Sequence, residues 1–137
     1  CSPVVTALKA GTDAIKPVKP DTIAKSLAIG NPADGYYAVK TVQETGGRGE
    51  EVDDEDIIRG IRLLASTEGI FTETAGGVTV AVLQRLAEQG VFKPDDVVVA
   101  LITGMGLKTA EALENRLGPA MEIPPDIDIF EQEMKLL

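Results

Sequence analysis

Apolar residues recur at helical spacing in two long stretches of the chain. In the first, Ile57, Ile61 and Leu64 fall on one face with Ile58 and Ala65 beside them. Asp53 precedes this stretch and Gly69 follows it. These residue types are typical of a helix N-cap and of a C-terminal stop. The second stretch, residues 75–89, carries a face of Val78, Val82, Leu83, Leu86 and Ala87. The pattern predicts two amphipathic helices, the second terminated by a glycine at position 90.

Two shorter apolar runs have the character of strands. Residues 97–102 are continuously apolar and rich in β-branched side chains, a pattern typical of a strand buried on both faces of a parallel sheet. Residues 22–29 form an apolar-biased run closed by a Gly-Asn-Pro turn, and residues 48–52 are an edge strand at most. Strands separated by helices predict an α/β fold. Two or three strands make an incomplete sheet for an autonomous domain.

Shorter helices are predicted elsewhere in the chain. They cover residues 4–9, 33–44 and 107–117, with a helical turn or two within 127–137. In the segment 33–44, Tyr37 and Val42 are expected among the buried residues. A length of 137 residues allows one domain or part of one, in which residues 118–137 form a proline-punctuated tail.

Composition and charge exclude several classes of function. Hydrophobic residues make up 44% and charged residues 26%, as in ordinary globular proteins. The net charge of -9 has the wrong sign for a phosphate-backbone binder, so nucleic acid is not expected as a partner. No apolar run reaches the roughly 18 residues that span a bilayer, so a soluble protein is expected.

The inventory of reactive side chains is equally restrictive. With no histidine and a single cysteine, the chain has no internal disulfide and no Ser-His-Asp or Cys-His machinery of its own. That cysteine, Cys1, stands where a complete translation product would carry Met, so an excised piece of a larger protein is considered.

Candidate chemistry lies at the turns that follow the two predicted strands, because ligands of parallel sheets bind beyond the carboxyl ends of strands. These turns are residues 30–32 and 103–106. Their small residues let a flat ligand approach the backbone, and Thr103 offers a hydroxyl to a ring nitrogen. The alternative is that the glycines only make the turns and Thr103 caps the next helix. Glu73 precedes two glycines at a helix start, where a capping role competes with a binding role.

Two other motifs are set aside. The stretch 104–108 lacks the glycine spacing and the Lys-Ser/Thr ending of a phosphate-binding loop. The acidic cluster 53–56 lacks alternating ligands and a turn glycine, so a solvated helix start is favoured over a metal site.

Six short motifs occur in the order found in threonine synthases. They are Cys1-Ser2-Pro3, Lys9-Ala10-Gly11, Thr22-Ile23-Ala24, Ala28-Ile29-Gly30-Asn31-Pro32, Gly69-Ile70-Phe71-Thr72-Glu73 and Leu101-Ile102-Thr103-Gly104-Met105-Gly106-Leu107-Lys108. The chain resembles the carboxyl-terminal part of this family of fold type II pyridoxal-phosphate enzymes, whose fold is similar to the tryptophan synthase β subunit.

The resemblance implies a fold and a site. Residues 1–137 would be the carboxyl-terminal part of the large cofactor-binding domain, a three-layer α/β structure around a parallel sheet. Thr103 would hydrogen-bond the pyridine nitrogen of pyridoxal phosphate, and Glu73 and Gly30 would line the same site. The Schiff-base lysine, the cofactor-contacting asparagine and the phosphate loop of the family all precede the matching segment, so no catalytic residue is expected here.

The resemblance also implies a function for the parent protein. Threonine synthase is a cytoplasmic lyase of threonine biosynthesis that converts O-phospho-L-homoserine and water to L-threonine and phosphate. The chain alone is expected to be inactive and, as part of a larger sheet with exposed apolar edges, to self-associate or form a homo-oligomer. A fragment of a related enzyme such as threonine dehydratase, or a non-catalytic acidic α/β binding module, are the alternatives.

Overall fold

The protein is described by a computed structural model that covers residues 1–114, 116 and 122–135. Its α-helices are α1 (Pro3–Lys9), α2 (Gly35–Glu44), α3 (Asp54–Glu68), α4 (Thr74–Glu88) and α5 (Ile127–Met134). Two segments are 3₁₀-helical, Lys25–Leu27 and Gly106–Leu113. Over these ranges no helix is both long and apolar enough to cross a membrane.

The centre of the structure is the contact between α3 and α4, which pack against each other more extensively than any other pair of described elements. The two backbones meet at glycines. A Cβ added to Gly60 would lie 2.5 Å from the carbonyl oxygen of Gly77, and one added to Gly77 would lie 2.7 Å from the carbonyl oxygen of Ile57. The helices can approach this closely only because neither position carries a side chain. The buried cluster beside the contact contains Ala24, Ile57, Ile58, Ile61 and Leu113.

The helices predicted from apolar periodicity are confirmed, and their ends are set by the expected residues. Asp53 caps α3, its carboxylate accepting a hydrogen bond from the Asp56 amide at 2.8 Å. Gly69 ends the same helix in the left-handed region at φ 68°, and Gly90 adopts φ 67° two residues after α4. Glycine adopts this conformation without the steric cost of a Cβ. The shorter predicted helices α1, α2 and α5 also form.

The predicted strands are wrong for the described part of the chain. Residues 22–29 contain the 3₁₀ turn Lys25–Leu27, and residues 48–52 and 97–102 have no regular structure. Val97 is 93% exposed, so the expected burial of its segment on both faces is absent. A strand needs a neighbouring strand to satisfy its backbone groups, and the described residues offer only an isolated bridge between Thr72 and Met105. The expected parallel sheet is therefore not seen in these ranges.

Some predicted details of the helices are also corrected. In α2 the buried residues are Gly35 and Val39, while Tyr37 is 66% exposed and Val42 is half-buried. The predicted helix 107–117 is a 3₁₀ segment interrupted at Thr109, whose φ of -137° is not helical. Residues 115 and 117 of that prediction, and 118–121 and 136–137 of the predicted tail, lie outside the described residues.

The face of α4 that meets α3 also differs from the predicted stripe. The buried residues of α4 are Thr74, Gly76, Gly77, Val80 and Ala81. Of these, Gly77 and Ala81 lie against Gly60 of α3. Most of the larger stripe is only half-buried and Ala87 is exposed. Small residues face α3 because the backbones are close, which periodicity of large apolar residues does not reveal.

An ionic cluster ties the amino-terminal helix to the rest of the structure. Lys9 Nζ lies 2.6 Å from a Glu50 carboxylate oxygen and 3.2 Å from one of Glu51. Gln89 at the end of α4 donates to Glu50 at 3.0 Å. The Lys9 hydrogen bond, followed by the one from Gln89, lowers the pKa of Glu50 to about 2. These contacts connect α1, the segment before α3, and the end of α4.

Arg85 extends this cluster to α3. Its guanidinium donates to the Glu51 carbonyl and to the Asp56 carboxylate, the latter at 2.7 Å. Burial, the largest influence on the Asp56 pKa, acts to raise it, but the Arg59 hydrogen bond, a backbone hydrogen bond and the charges of Arg59 and Arg85 together lower it. The pKa of Glu51 is lowered by the hydrogen bonds from Ser2 and Lys9.

Replacing Gly60 by alanine tests the contact between α3 and α4. In an open helix this substitution would be stabilising by roughly 1 kcal/mol. Here we expect a loss of about 2 kcal/mol in the free energy of unfolding, because the added methyl meets the Gly77 carbonyl. Urea unfolding of the 137-residue chain measures it. Ser66→Ala, on an exposed position of α3, serves as control, and a Gly60→Ala variant as stable as that control would contradict the packing account.

The ionic cluster predicts a pH dependence of stability. Because folding lowers the pKa of Glu50 from 4.5 to about 2, its stabilising contribution is complete above pH 4.5 and is lost as the pH falls towards 2. We expect Glu50→Gln to be less stable than wild type at pH 6 and to lose less stability between pH 4.5 and 2.5. Urea unfolding at each pH measures both. Glu44→Gln, at an exposed position of α2, is the control, and parallel wild-type and Glu50→Gln profiles would refute the prediction.

Candidate functional site

Two connecting segments, residues 70–73 before α4 and residues 103–106, run side by side at the candidate site. Thr72 and Met105 form an antiparallel bridge. The Gly106 amide donates to the Phe71 carbonyl at 2.9 Å, and the Gly104 carbonyl accepts the Glu73 amide at 3.0 Å. These backbone bonds bring two of the predicted site residues, Glu73 and Thr103, to neighbouring positions.

Glu73 is a buried acid, with only 4% of its surface exposed. It occupies the N-cap position of α4, as the capping alternative predicts, but its side chain makes no capping hydrogen bond. Instead, Lys108 Nζ lies 2.9 Å from Glu73 Oε2, close enough for an ion pair, although this oxygen accepts no hydrogen bond from the described residues. A buried carboxylate is costly without a counter-charge, and this lysine supplies one.

The glycines of the second segment serve packing within the protein. A Cβ on Gly104 would lie 1.8 Å from Glu73 Oε1, and one on Gly106 would lie 2.5 Å from the Phe71 ring. Both Cβ directions are therefore filled by the neighbouring segment. The glycines were expected to leave room for a flat ligand, but the Cβ side of each is occupied by residues of the segment 70–73. A ligand therefore has to approach from another side.

Thr103 has its side chain free for an external partner. The residue is exposed, and no group among the described residues hydrogen-bonds its hydroxyl. It does not cap the following 3₁₀ segment, since Met105 occupies the N-cap position there. The capping alternative for Thr103 is therefore wrong.

Gly30 is held by a different part of the chain. Its carbonyl accepts the Val18 amide at 3.0 Å, and a Cβ at this position would lie 1.8 Å from the Val18 carbonyl oxygen and 3.0 Å from Pro20. Its contacts are with the segment 18–20 rather than with Glu73 or Gly104. The described structure does not bring it into the pair formed by the other two predicted residues.

Two residues of the site were missed by the sequence reasoning. The sequence places Lys108 in a rejected phosphate loop and in the last of the six motifs without a partner, and it assigns no role to Thr109. Thr109 Oγ1 accepts a hydrogen bond from the Thr74 amide at 3.1 Å, at the first turn of α4. Both contacts join residues more than 30 positions apart, so no local pattern indicates them.

The acidic cluster 53–56 is engaged by other protein groups. Asp54 accepts from Thr22 Oγ1 at 2.6 Å, and Glu55 pairs with Arg116 at 2.7 Å. Asp53 is the α3 cap and Asp56 lies between two arginines. Across the part of the chain that the structure describes, no group of three or more His, Cys, Asp or Glu side chains is arranged to hold a metal ion.

Comparison with known proteins connects this site to one family. The sequence profile of the pyridoxal-phosphate dependent enzymes matches residues 1–104, a range that includes Glu73 and Thr103.

Individual relatives carry a more specific name. The chain is 35% identical to the threonine synthase of Methanocaldococcus jannaschii over 136 residues, 98% of this chain and 34% of the relative. It is 39% identical to the threonine synthase of Methanosarcina acetivorans over 112 residues, 81% of this chain and 28% of the relative. For the threonine synthase of Bacillus sp. (strain ULM1) the identity is 36% over 118 residues, 85% of this chain and 34% of the relative. The chain spans about a third of the length of these relatives, and the resemblance stated from its motifs is confirmed.

Proposed function

Because the chain belongs to the family of pyridoxal-phosphate dependent enzymes, we propose that it supplies one wall of the cofactor site of a threonine synthase. The parent enzyme would be a lyase that converts O-phospho-L-homoserine and water to L-threonine and phosphate. The observation that carries the proposal is the Thr103 hydroxyl, which no described group hydrogen-bonds and which lies one residue before the Gly104 that packs against the buried Glu73. The named relatives of the chain are threonine synthases.

The donor set at Thr103 fits the cofactor. A threonine hydroxyl can donate to or accept from a pyridine nitrogen, and no described group competes for this one. As a neutral partner it leaves the ring nitrogen less protonated than an aspartate would. In our proposal Glu73 lies beside the ring, and Gly30 completes the wall when the remainder of the parent domain is present.

The chemistry is divided between this chain and the rest of the parent. Pyridoxal phosphate, when bound, supplies an electron sink for carbanion chemistry. Thr103 would orient the ring through its nitrogen, and the segments around Glu73 would shield one side of the site from water. The reactive lysine is expected outside the matching segment, so we propose that the 137-residue chain alone forms no threonine.

The exposed segment 97–101 supports a place within a larger domain. Its exposed apolar residues are Val97, Val98, Val99 and Leu101. They have the composition of a buried strand but no strand partner among the described residues. We propose that this segment joins a sheet formed by the rest of the parent, and that in its absence the chain self-associates. A cytoplasmic location for the parent stays a prediction.

A chimera tests the activity. The chain would replace the matching third of the Methanocaldococcus jannaschii threonine synthase, and threonine and phosphate would be measured from O-phospho-L-homoserine. We expect activity in the chimera and none in the isolated chain. Thr103→Val, which keeps the shape but removes the hydroxyl, should lower kcat/KM about tenfold, the effect of one lost hydrogen bond. Thr103→Ser keeps the hydroxyl and should lower it less than threefold.

Each of the other possible results would show which part of the proposal is wrong. A folded chimera that binds the cofactor but only converts threonine to 2-oxobutyrate would indicate the dehydratase alternative. A folded chimera that binds no cofactor would indicate the binding-module alternative. Full activity of Thr103→Val would remove Thr103 from the proposed contact, and threonine formation by the isolated chain would show that the division of chemistry is wrong.

Self-association is tested by sedimentation velocity of the isolated chain at several concentrations. We expect the weight-average sedimentation coefficient to rise with concentration, because exposed apolar strand-type residues associate with one another. Val99→Asp should reduce this rise. Gln43→Asp adds the same charge at an exposed position of α2 and is the matched control. A wild-type chain that stays monomeric at every concentration would argue against the prediction.

A further inference from the structure

The residues after Thr103 hold the start of α4 at two points. The Gly104 carbonyl accepts the Glu73 amide at 3.0 Å, and Thr109 Oγ1 accepts the Thr74 amide at 3.1 Å. Consecutive amides at the beginning of α4 are thus bound by the segment 104–109. The position of the Thr103 loop is therefore coupled to the position of Glu73.

The Glu73 carboxylate lies between two groups of this same segment. Its Oε1 is 1.8 Å from the point at which a Cβ of residue 104 would lie, so it packs directly against Gly104. Its Oε2 is 2.9 Å from Lys108 Nζ. One carboxylate therefore contacts both ends of the turn that follows Thr103.

The ion pair joins a buried acid to an exposed base. The Glu73 side chain is 5% exposed and the Lys108 side chain 65% exposed. A carboxylate buried this deeply has lost its hydration, and without a counter-charge the free-energy cost of that loss is not compensated. The Lys108 ammonium is thus the counter-charge of a carboxylate that packs against Gly104.

We propose that Lys108 is a positioning residue of the site: its ammonium holds the Glu73 carboxylate against Gly104 and thereby fixes the loop that presents the Thr103 hydroxyl. The inference rests on the proposed function, because it takes Thr103 as the residue that contacts the cofactor. Lys108 itself touches neither cofactor nor substrate in this account. Its effect on them passes through Glu73 and Gly104.

Amide hydrogen exchange in the cofactor-free 137-residue chain tests the inference. Lys108→Met keeps the aliphatic stem and removes the charge. We expect it to accelerate exchange of the Glu73 and Thr74 amides about tenfold, because both donate to the segment that Lys108 holds. The exchange rates of amides in the interior of α3 should change less than twofold. Lys108→Arg keeps the charge and should restore both rates to within about threefold of wild type.

Two further variants make the result specific. Lys40→Met removes an exposed lysine paired with Glu44 at 3.8 Å on α2 and should leave the Glu73 and Thr74 amides unchanged. In a Glu73→Gln background, where the ion pair is already lost, Lys108→Met should add less than a twofold change.

The inference is overturned if Lys108→Met leaves both amides as slow as Lys40→Met does, or if it accelerates α3 to the same extent. Failure of the arginine variant to restore the rates would also overturn it. No cofactor or substrate enters the measurement, so its outcome is independent of whether the chimera makes threonine.

Discussion

The approach of α3 and α4 at Gly60 and Gly77 is the constraint on which the rest of the structure depends. Each glycine faces a backbone carbonyl of the opposite helix at a distance that no side chain would permit. This contact sets the position of α4, and α4 begins at the residue after Glu73. At that residue the helix start meets the segment 104–108, which covers the carboxylate.

The two groups of charged residues in the molecule differ in where they lie and in what they contact. The cluster around Glu50, Lys9 and Arg85 connects helices near the surface, where largely covered carboxylates pair with more exposed bases. The pair formed by Glu73 and Lys108 instead places a charge in the interior, beside the turn that carries the proposed cofactor contact. Only the second arrangement links an electrostatic interaction to the geometry of the site.

Features controlled by neighbouring residues could be predicted from the sequence, and features controlled by distant ones could not. Asp53 and Gly69 mark the ends of α3 because capping is a local interaction. The strand expected at 97–102 needs partners that the described residues do not contain, so its composition alone was misleading. Glu73 and Thr103 were singled out from a helix start and a glycine turn, and the resemblance to a family added their expected roles at the cofactor. The ion pair with Lys108 was missed because it depends on the folded chain.

The packing of Glu73 against Gly104 also constrains how this sequence can change over evolutionary time. A side chain at position 104 has space only in a protein whose residue at position 73 is shorter or turned away. Substitutions at these two positions are therefore coupled: a side chain at position 104 requires the acid at position 73 to be lost, shortened or turned away. Lineages that keep the acid in its present orientation are confined to glycine in the turn.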